Sequence, residues 1–382
     1  MNKTKTILWV VIVIVVIAGG WYGLIKKQTP VTEKEPIKIG VMVPLTGDAA
    51  VYGEASLNVL QIALNEINNA GGINGRKLEY IIEDSKCNGK DGATSAQKLV
   101  NIDKVQVIIG GICSSETISA VPIASTAKVV IVSPTASSPA LTGISKYFFR
   151  THPSDATQGK VLAELAYKKG WRNIGFISEQ TDFVKGNYES FKKVFEDLGG
   201  KVLVNEEFQT GVLDFRSQLT KLKAANIDAL FLAPQTTASG EHILKQMKNL
   251  GWAPNLLLLD TISSNPKFVQ DHKDQLEGAY AAEFGVNPNN PKMKGLIDAY
   301  KKNYNVDMPY QTYMQDVYDA VYLIRDGILA VGYNGEKIAE WSKNIKNWDG
   351  ASGKVTIDVN GDRVGGHEPR IVKNGELTQY TE

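Results

Sequence analysis

From residue 37 onward, apolar and polar positions follow two alternating periods. Short apolar runs closed by turn residues give way to longer stretches in which apolar residues recur every third or fourth position, the marks of buried strands and amphipathic helices. The run 37–43 predicts a strand ending at Pro44-Leu45-Thr46-Gly47, and 52–69 predicts a helix with Leu57, Leu60, Leu64 and Ile67 on one stripe, broken by Gly71-Gly72-Ile73-Asn74-Gly75. Strands over 77–83, 105–109 and 129–132 then alternate with helices over 91–103 and 115–127. The rhythm restarts after 151–157, which reads as a crossing between two sheets. Helices over 158–169, 188–198, 215–225 and 241–250 alternate with strands over 173–177, 201–206, 229–232 and 256–259. Helices over 287–304 and 311–331 follow, then a hairpin in which 355–359 and Val364 flank Asn360-Gly361. Repeated strand–helix alternation means parallel sheets covered by helices, so an α/β fold of two lobes, each with its own sheet, is predicted.

Ahead of this region, residues 7–25 carry no charge, with Lys3 and Lys5 before them and Lys26 and Lys27 after. A helix of that length spans roughly 28 Å, close to the hydrocarbon core of a bilayer. It reads either as a retained membrane anchor or as a cleaved signal peptide with Ala18-Gly19-Gly20 at the cleavage site. Trp21 and Tyr22, placed as interfacial aromatics, favour the anchor. No cysteine adjoins the segment, which excludes a lipoprotein anchor. Either reading exports the remainder of the chain to the periplasm or cell surface. In that compartment Cys87 and Cys113 are expected to pair; two independent buried thiols are the alternative.

Composition narrows the function. The 382 residues suit two lobes of ordinary size, and 43% hydrophobic with 22% charged residues is globular. Forty-two basic against 41 acidic residues leave a net charge of +1, which argues against a nucleic-acid partner. His152, His242, His272 and His367 are scattered without HExxH spacing, which argues against a histidine-based metal site. There is no GxxxxGK[ST] loop and no GxSxG elbow, so no enzyme is expected and no cofactor is implied. Asp358, Asn360 and Asp362 imitate the start of a calcium loop, but Arg363 and Pro369 stand where that loop needs glycine and glutamate.

Open parallel sheets bind ligands at the carboxyl ends of their strands. In the first half those ends read Thr46-Gly47, Cys113-Ser114-Ser115 and Ser133-Pro134-Thr135-Ala136-Ser137-Ser138-Pro139. Two of the three are serine-rich and are predicted to lead into helices, whose free N–H groups suit a carboxylate. Ser114 and Ser137 are the candidate hydroxyl donors, with simple helix capping as the competing role. In the second half the ends read Ser178-Glu179-Gln180-Thr181-Asp182-Phe183, Pro234-Gln235-Thr236-Thr237 and Asp260-Thr261. Asp260, directly after four leucines, is a candidate to receive an ammonium group, with a solvent-facing loop aspartate as the competing role. Tyr52, Phe183 and Tyr313 are aromatics at loop or helix-start positions, each by itself better suited to packing than to ligand contact.

These residues together resemble the extracytoplasmic solute-binding proteins for branched-chain amino acids, the leucine/isoleucine/valine type with the type I periplasmic-binding fold. The resemblance runs from about Ile37 to the carboxyl end. It is carried by Ile37-Lys38-Ile39-Gly40, Pro44-Leu45-Thr46-Gly47, Tyr52-Gly53, Ile67-Asn68-Asn69-Ala70-Gly71-Gly72-Ile73-Asn74-Gly75-Arg76, Glu83-Asp84 before Cys87, the two serine turns, and Tyr318-Asp319-Ala320. It implies a two-lobed clamp with three crossovers: lobe 1 from 37–156 and 284–365, lobe 2 from 157–283 and 366–382, after a segment 1–36 that anchors or directs the chain. It implies further that Ser114 and Ser137 hold a ligand carboxylate, that the Thr135 carbonyl takes the ammonium, and that Tyr52, Phe183 and Tyr313 wall the side-chain pocket. Cys87 and Cys113 match the family's disulfide. The family often has an aromatic near Gln235 and Thr236, absent here, and a glutamate where Asp260 is the nearest carboxylate. The implied activity is capture of an amino acid for an ABC permease by a monomer; a membrane-tethered sensor, or a receptor for amides or urea, is the alternative.

Overall fold

The computed structural model describes residues 34–381, so the predicted anchor at 7–25 lies outside the described residues. Among the described residues no helix is long and apolar enough to cross a membrane.

The first sheet is all parallel, as uninterrupted apolar runs demand. It comprises β1 (Ile37–Val43), β2 (Leu78–Asp84), β3 (Val107–Gly110), β4 (Val130–Ser133) and β5 (Phe148–Arg150) in the order β2-β1-β3-β4-β5. One face packs against the helices Ala50–Asn69 and Gln311–Val331 through Val59, Leu60, Ala63, Val317, Ala320 and Val321. The other packs against Gly89–Asn101 and Ser114–Thr126 through Ala96, Leu99, Ala120 and Val121. Gly53 is required where the Ala50–Asn69 helix meets the loop after β1: a Cβ there would collide with the Pro44 carbonyl oxygen. That close approach turns the neighbouring Tyr52 inward, to 5% exposure.

The second sheet joins β6 (Asn173–Glu179), β7 (Lys201–Phe208), β8 (Ala229–Ala233), β9 (Asn255–Leu258) and β10 (Tyr280–Glu283), all parallel. A small separate hairpin, β11 (Trp348–Gly350) with β12 (Gly353–Val355), precedes β13 (Glu368–Lys373) and β14 (Glu376–Gln379). The last two add an antiparallel edge to the second sheet, giving the order β14-β13-β10-β9-β8-β6-β7. Two buried clusters cover its faces, one around Leu230, Leu232 and Leu258 and one around Phe176, Phe191 and Phe231.

The chain passes between the sheets after β5, after β10 and before β13. Asp316, buried on the Gln311–Val331 helix, ties the first and last passages together. Its backbone carbonyl accepts from the Thr151 hydroxyl (2.9 Å), and its carboxylate meets His152 Nδ1 (2.7 Å) and an Arg363 guanidinium nitrogen (2.8 Å). On the same helix, Thr312 donates to the carbonyl of Phe284 at the middle passage (2.7 Å).

Three expectations are corrected. The helix predicted from 188 begins at Asp182, because the Thr181 hydroxyl accepts from Val184 N at 3.2 Å and caps it earlier. The predicted hairpin around Asn360-Gly361 reduces to an isolated bridge between Ile357 and Arg363. Asp358 Oδ1 accepts from the amides of Asn360 and Asp362, and the carbonyl of Gly361 is taken by Arg150 N of β5 (2.9 Å), so this turn caps a sheet edge instead of starting strands. The turn after β4 leads only into a single 3₁₀ turn, Pro139–Leu141, with no helix behind it.

Candidate ligand-binding site

The carboxyl ends of β3 and β4 face those of β8 and β9 across a narrow cleft, with about 420 Å³ of space between atoms when its solvent-open mouth is counted. Of the residues singled out in the sequence, Tyr52, Ser114, Thr135, Ser137, Phe183, Gln235 and Tyr313 line it together. Ile112, Cys113, Thr261 and Met314 complete the lining; the first three stand beside strand ends, whereas Met314, inside the Gln311–Val331 helix, carried no such signal. Thr236 and Asp260 do not line it. Thr236 caps the Thr237–Asn249 helix, its hydroxyl accepting from Ser239 N at 3.4 Å. Asp260, 1% exposed, is bonded to the Tyr313 hydroxyl and the Gln158 side chain.

The two serine turns are locked to each other. Ser133 Oγ donates to Gly111 O and Thr135 Oγ1 to Ile112 O, both at 2.7 Å, and Ser138 N donates to Ser114 Oγ at 3.1 Å. Ser114 thus keeps its own hydroxyl proton for the cleft, at the first turn of the Ser114–Thr126 helix with its free amides. Ser137 differs. Its Oγ is bonded to Asp155 Oδ2 at 2.9 Å, which turns its lone pairs toward the cleft and suits it to accept from a donor such as ammonium. Capping falls to its neighbour: Ser138 Oγ accepts from Ala140 N at 3.4 Å.

Contacts cross the cleft. The Tyr52 hydroxyl reaches the carbonyls of Gln235 (3.1 Å) and Thr261 (3.3 Å), and Asp182 N reaches Ser115 Oγ (3.3 Å). The Gln235 loop is itself held by Glu179, which accepts from Gln235 N at 2.8 Å. Cys87 and Cys113 form a disulfide with Cα atoms 5.2 Å apart, and Cys113 lines the cleft.

Ionisable groups concentrate beneath the cleft. Burial pushes Asp155 and Asp260 upward, and the nearby Asp260 charge adds to the rise at Asp155. Burial drives the His152 imidazole down to about 3, so it is neutral. Under the disulfide, burial pushes the Glu116 carboxyl up to about 7, against the Ser85 hydroxyl and the amides of Cys113 and Ile112, which favour its charged form. The folded state therefore holds a proton on Glu116 that the unfolded chain has released above its ordinary value of 4.5. Stability should fall as pH rises from 4.5 to about 7, by roughly 3 kcal/mol. Urea unfolding of the full chain across that window is expected to show the slope, and Glu116→Gln to reduce it. An unchanged slope in Glu116→Gln would assign it to other buried carboxyls such as Glu283, pushed by burial up to about 8.

Comparison with known proteins follows the same outline. Residues 36–373 match the family model described as periplasmic binding protein. The chain is 31% identical over 349 residues to the leucine-, isoleucine-, valine-, threonine- and alanine-binding protein of Pseudomonas aeruginosa, covering 91% of this chain and 90% of that one. The solved leucine-binding protein LivK of Thermotoga maritima is similar with a TM-score of 0.81 at 28% identity, over 90% of this chain and 98% of that one. The branched-chain amino acid transporter substrate-binding protein LivJ of Streptococcus pneumoniae, solved with isoleucine, is similar with a TM-score of 0.79 at 27% identity, over 90% of this chain and 100% of that one. With the paired sheets, the three passages between them and a cleft at their facing strand ends, this chain belongs to the periplasmic binding protein family, with the type I fold.

Proposed function

We propose that this chain is an extracytoplasmic receptor that closes two lobes on an amino acid with an apolar side chain and delivers it to an ABC importer. The observation that carries the reading is the division of the cleft. Tyr52, Phe183, Tyr313 and Met314 form an apolar wall, and Ser114, Thr135 and Ser137 gather polar groups at one end. The names of the relatives, leucine/isoleucine/valine-binding and branched-chain amino acid transporter proteins, support this class of ligand. The ligand carboxylate meets the Ser114 hydroxyl and the adjoining helix amides, and the ammonium meets the Thr135 carbonyl and Ser137 Oγ. Lobe 1 comprises 37–156 and 284–365 and lobe 2 comprises 157–283 and 366–382, with residues 7–25 as the membrane tether. Closure buries the ligand and brings the two lobe surfaces into one face for the permease.

A thermal-shift screen of the full chain against amino acids, amides and urea is expected to single out apolar amino acids by mass-action stabilisation. Stabilisation by none of the amino acids would overturn the reading. With the ligand found, calorimetry on Ser137→Ala is expected to show affinity lower by roughly one to two decades, since charge-assisted bonds contribute about 1.5–3 kcal/mol. Ser138→Ala should leave affinity nearly intact while losing about 1 kcal/mol of stability as the cap is removed. Equal affinities for Ser137→Ala and the parent would remove Ser137 from the site.

A further inference from the structure

Behind Tyr313, at the passages between the lobes, three side chains from distant parts of the sequence converge. His152 follows β5, Asp260 follows β9 and His367 precedes β13. One ligating atom from each lies within 4.8 Å of the other two, and the residues are 0%, 1% and 6% exposed. The scattered spacing that argued against a histidine metal site concealed this grouping.

Hydrogen bonding on the far side of each ring decides what the cluster presents. His152 Nδ1 faces Asp316 Oδ2 at 2.7 Å. An Arg363 guanidinium nitrogen is bonded to the other oxygen of that carboxyl at 2.8 Å, so His152 Nδ1 is engaged on the far side of the ring and Nε2 is the nitrogen left for the cluster. His367 Nδ1 faces Thr157 Oγ1 at 2.6 Å, and that hydroxyl spends its proton on the Ser154 carbonyl (2.9 Å), so this ring donates from Nδ1 and leaves an Nε2 lone pair. His152 Nε2, His367 Nε2 and Asp260 Oδ1 are all buried without a hydrogen-bond partner among the described residues. Three buried polar atoms on neighbouring side chains are thus left without a partner, a costly arrangement unless a cation or donor sits between them.

We propose that His152, His367 and Asp260 bind a divalent transition-metal ion with zinc-like ligand preference at the hinge below the cleft. Two imidazoles and one carboxylate are a donor set for such ions, whereas calcium and magnesium take oxygen. The Asp316–His152 bond is the outer-shell support that orients a metal-binding ring. Ligands around a tetrahedral zinc ion stand about 3.3 Å apart, so modest side-chain rotations close the three onto the ion. The proposal does not depend on which solute the cleft takes.

The test uses the full chain without amino acid. After loading with zinc and dialysis against metal-free buffer, mass spectrometry of the metal content should find about one zinc per chain. Cobalt loading should give the intense visible absorption of a four-coordinate site with nitrogen ligands. His152→Gln and His367→Gln should each lose both signals, and the control His242→Gln should keep them. Parent protein that retains no zinc overturns the proposal, as does zinc retained equally by both variants. The cobalt spectrum of the parent decides even where a variant does not fold: a weak, six-coordinate band overturns the site as described.

Discussion

Arg150→Met is expected to lower the unfolding free energy by roughly 3–5 kcal/mol, the range for removing one partner of a buried ion pair. The Arg150 side chain is 0% exposed. Its Nε donates to Asp362 Oδ1 (2.8 Å), one terminal nitrogen donates to the carbonyls of Ala136 (3.3 Å) and Ser138 (2.9 Å), and the other donates to Thr142 Oγ1 (3.0 Å). The two carbonyls bracket Ser137, so the guanidinium fixes from behind the turn that faces the cleft. Methionine keeps most of the volume but leaves Asp362 short of its charged partner and two carbonyls unpaired. Urea unfolding should show a lower midpoint with little change in slope. Amino-acid affinity should fall roughly tenfold or more as the turn loosens. The double variant Arg150→Met, Asp362→Leu should recover part of the stability, since it no longer buries an unpaired charge. A loss below about 1 kcal/mol in the single variant would show that the guanidinium does not hold the turn.

Removing the disulfide is expected to have the next largest effect. A bridge across a sequence separation of 26 contributes about 3.5 kcal/mol on the chain-entropy account. Lys86 and Cys87 both have left-handed backbone angles, φ 49° and 59°, a conformation that non-glycine residues adopt only under local constraint. Cys113 stands just ahead of the Ser114–Thr126 helix and lines the cleft. The double variant Cys87→Ser, Cys113→Ser should therefore lose both stability and affinity, while thiol counting on the denatured, unreduced parent should find no free thiol. Coincident unfolding curves for parent and double variant would show that the bridge adds nothing to the folded state.

The alternation of periods carried most of the fold. Nearly every predicted strand of the two parallel sheets lies within a few residues of an observed one, because a strand buried on both faces must be a short apolar run. Four strands of the two sheets escaped prediction. β5 is three residues, Phe148–Arg150, and ends on an arginine; β13 and β14 carry mixed sequences and form the antiparallel edge; β10, Tyr280–Glu283, is buried throughout, but its Tyr-Ala-Ala-Glu sequence is a short, weak apolar run. The cleft was legible for a related reason. Ligand groups gather where parallel strands end, and the serine turns after β3 and β4 are contiguous in sequence.

Some distinctions within those turns were not local. Ser137 and Ser138 are adjacent and chemically identical. Only the position of Asp155, reached after the chain leaves the first sheet, assigns one to the cleft, and only the 3₁₀ turn assigns the other to capping. Asp260 reads as a residue at a strand end facing the cleft, but the Tyr313 side chain stands on it, and its neighbours are two histidines from the passages between the lobes.

The sequence by itself determined the α/β class, the two-sheet organisation, the cysteine pair and the strand ends that form the cleft. Each depends on periodicity or on residues close together along the chain, where burial and turn geometry leave a local mark. The tertiary structure alone decided the partners of the buried charges, Arg150 with Asp362 and Arg363 with Asp316, and brought His152 and His367 beside Asp260. Those pairings arise where the chain passes between lobes and returns. A charged side chain carries no sign in its own sequence neighbourhood of which distant group will meet it once water is excluded.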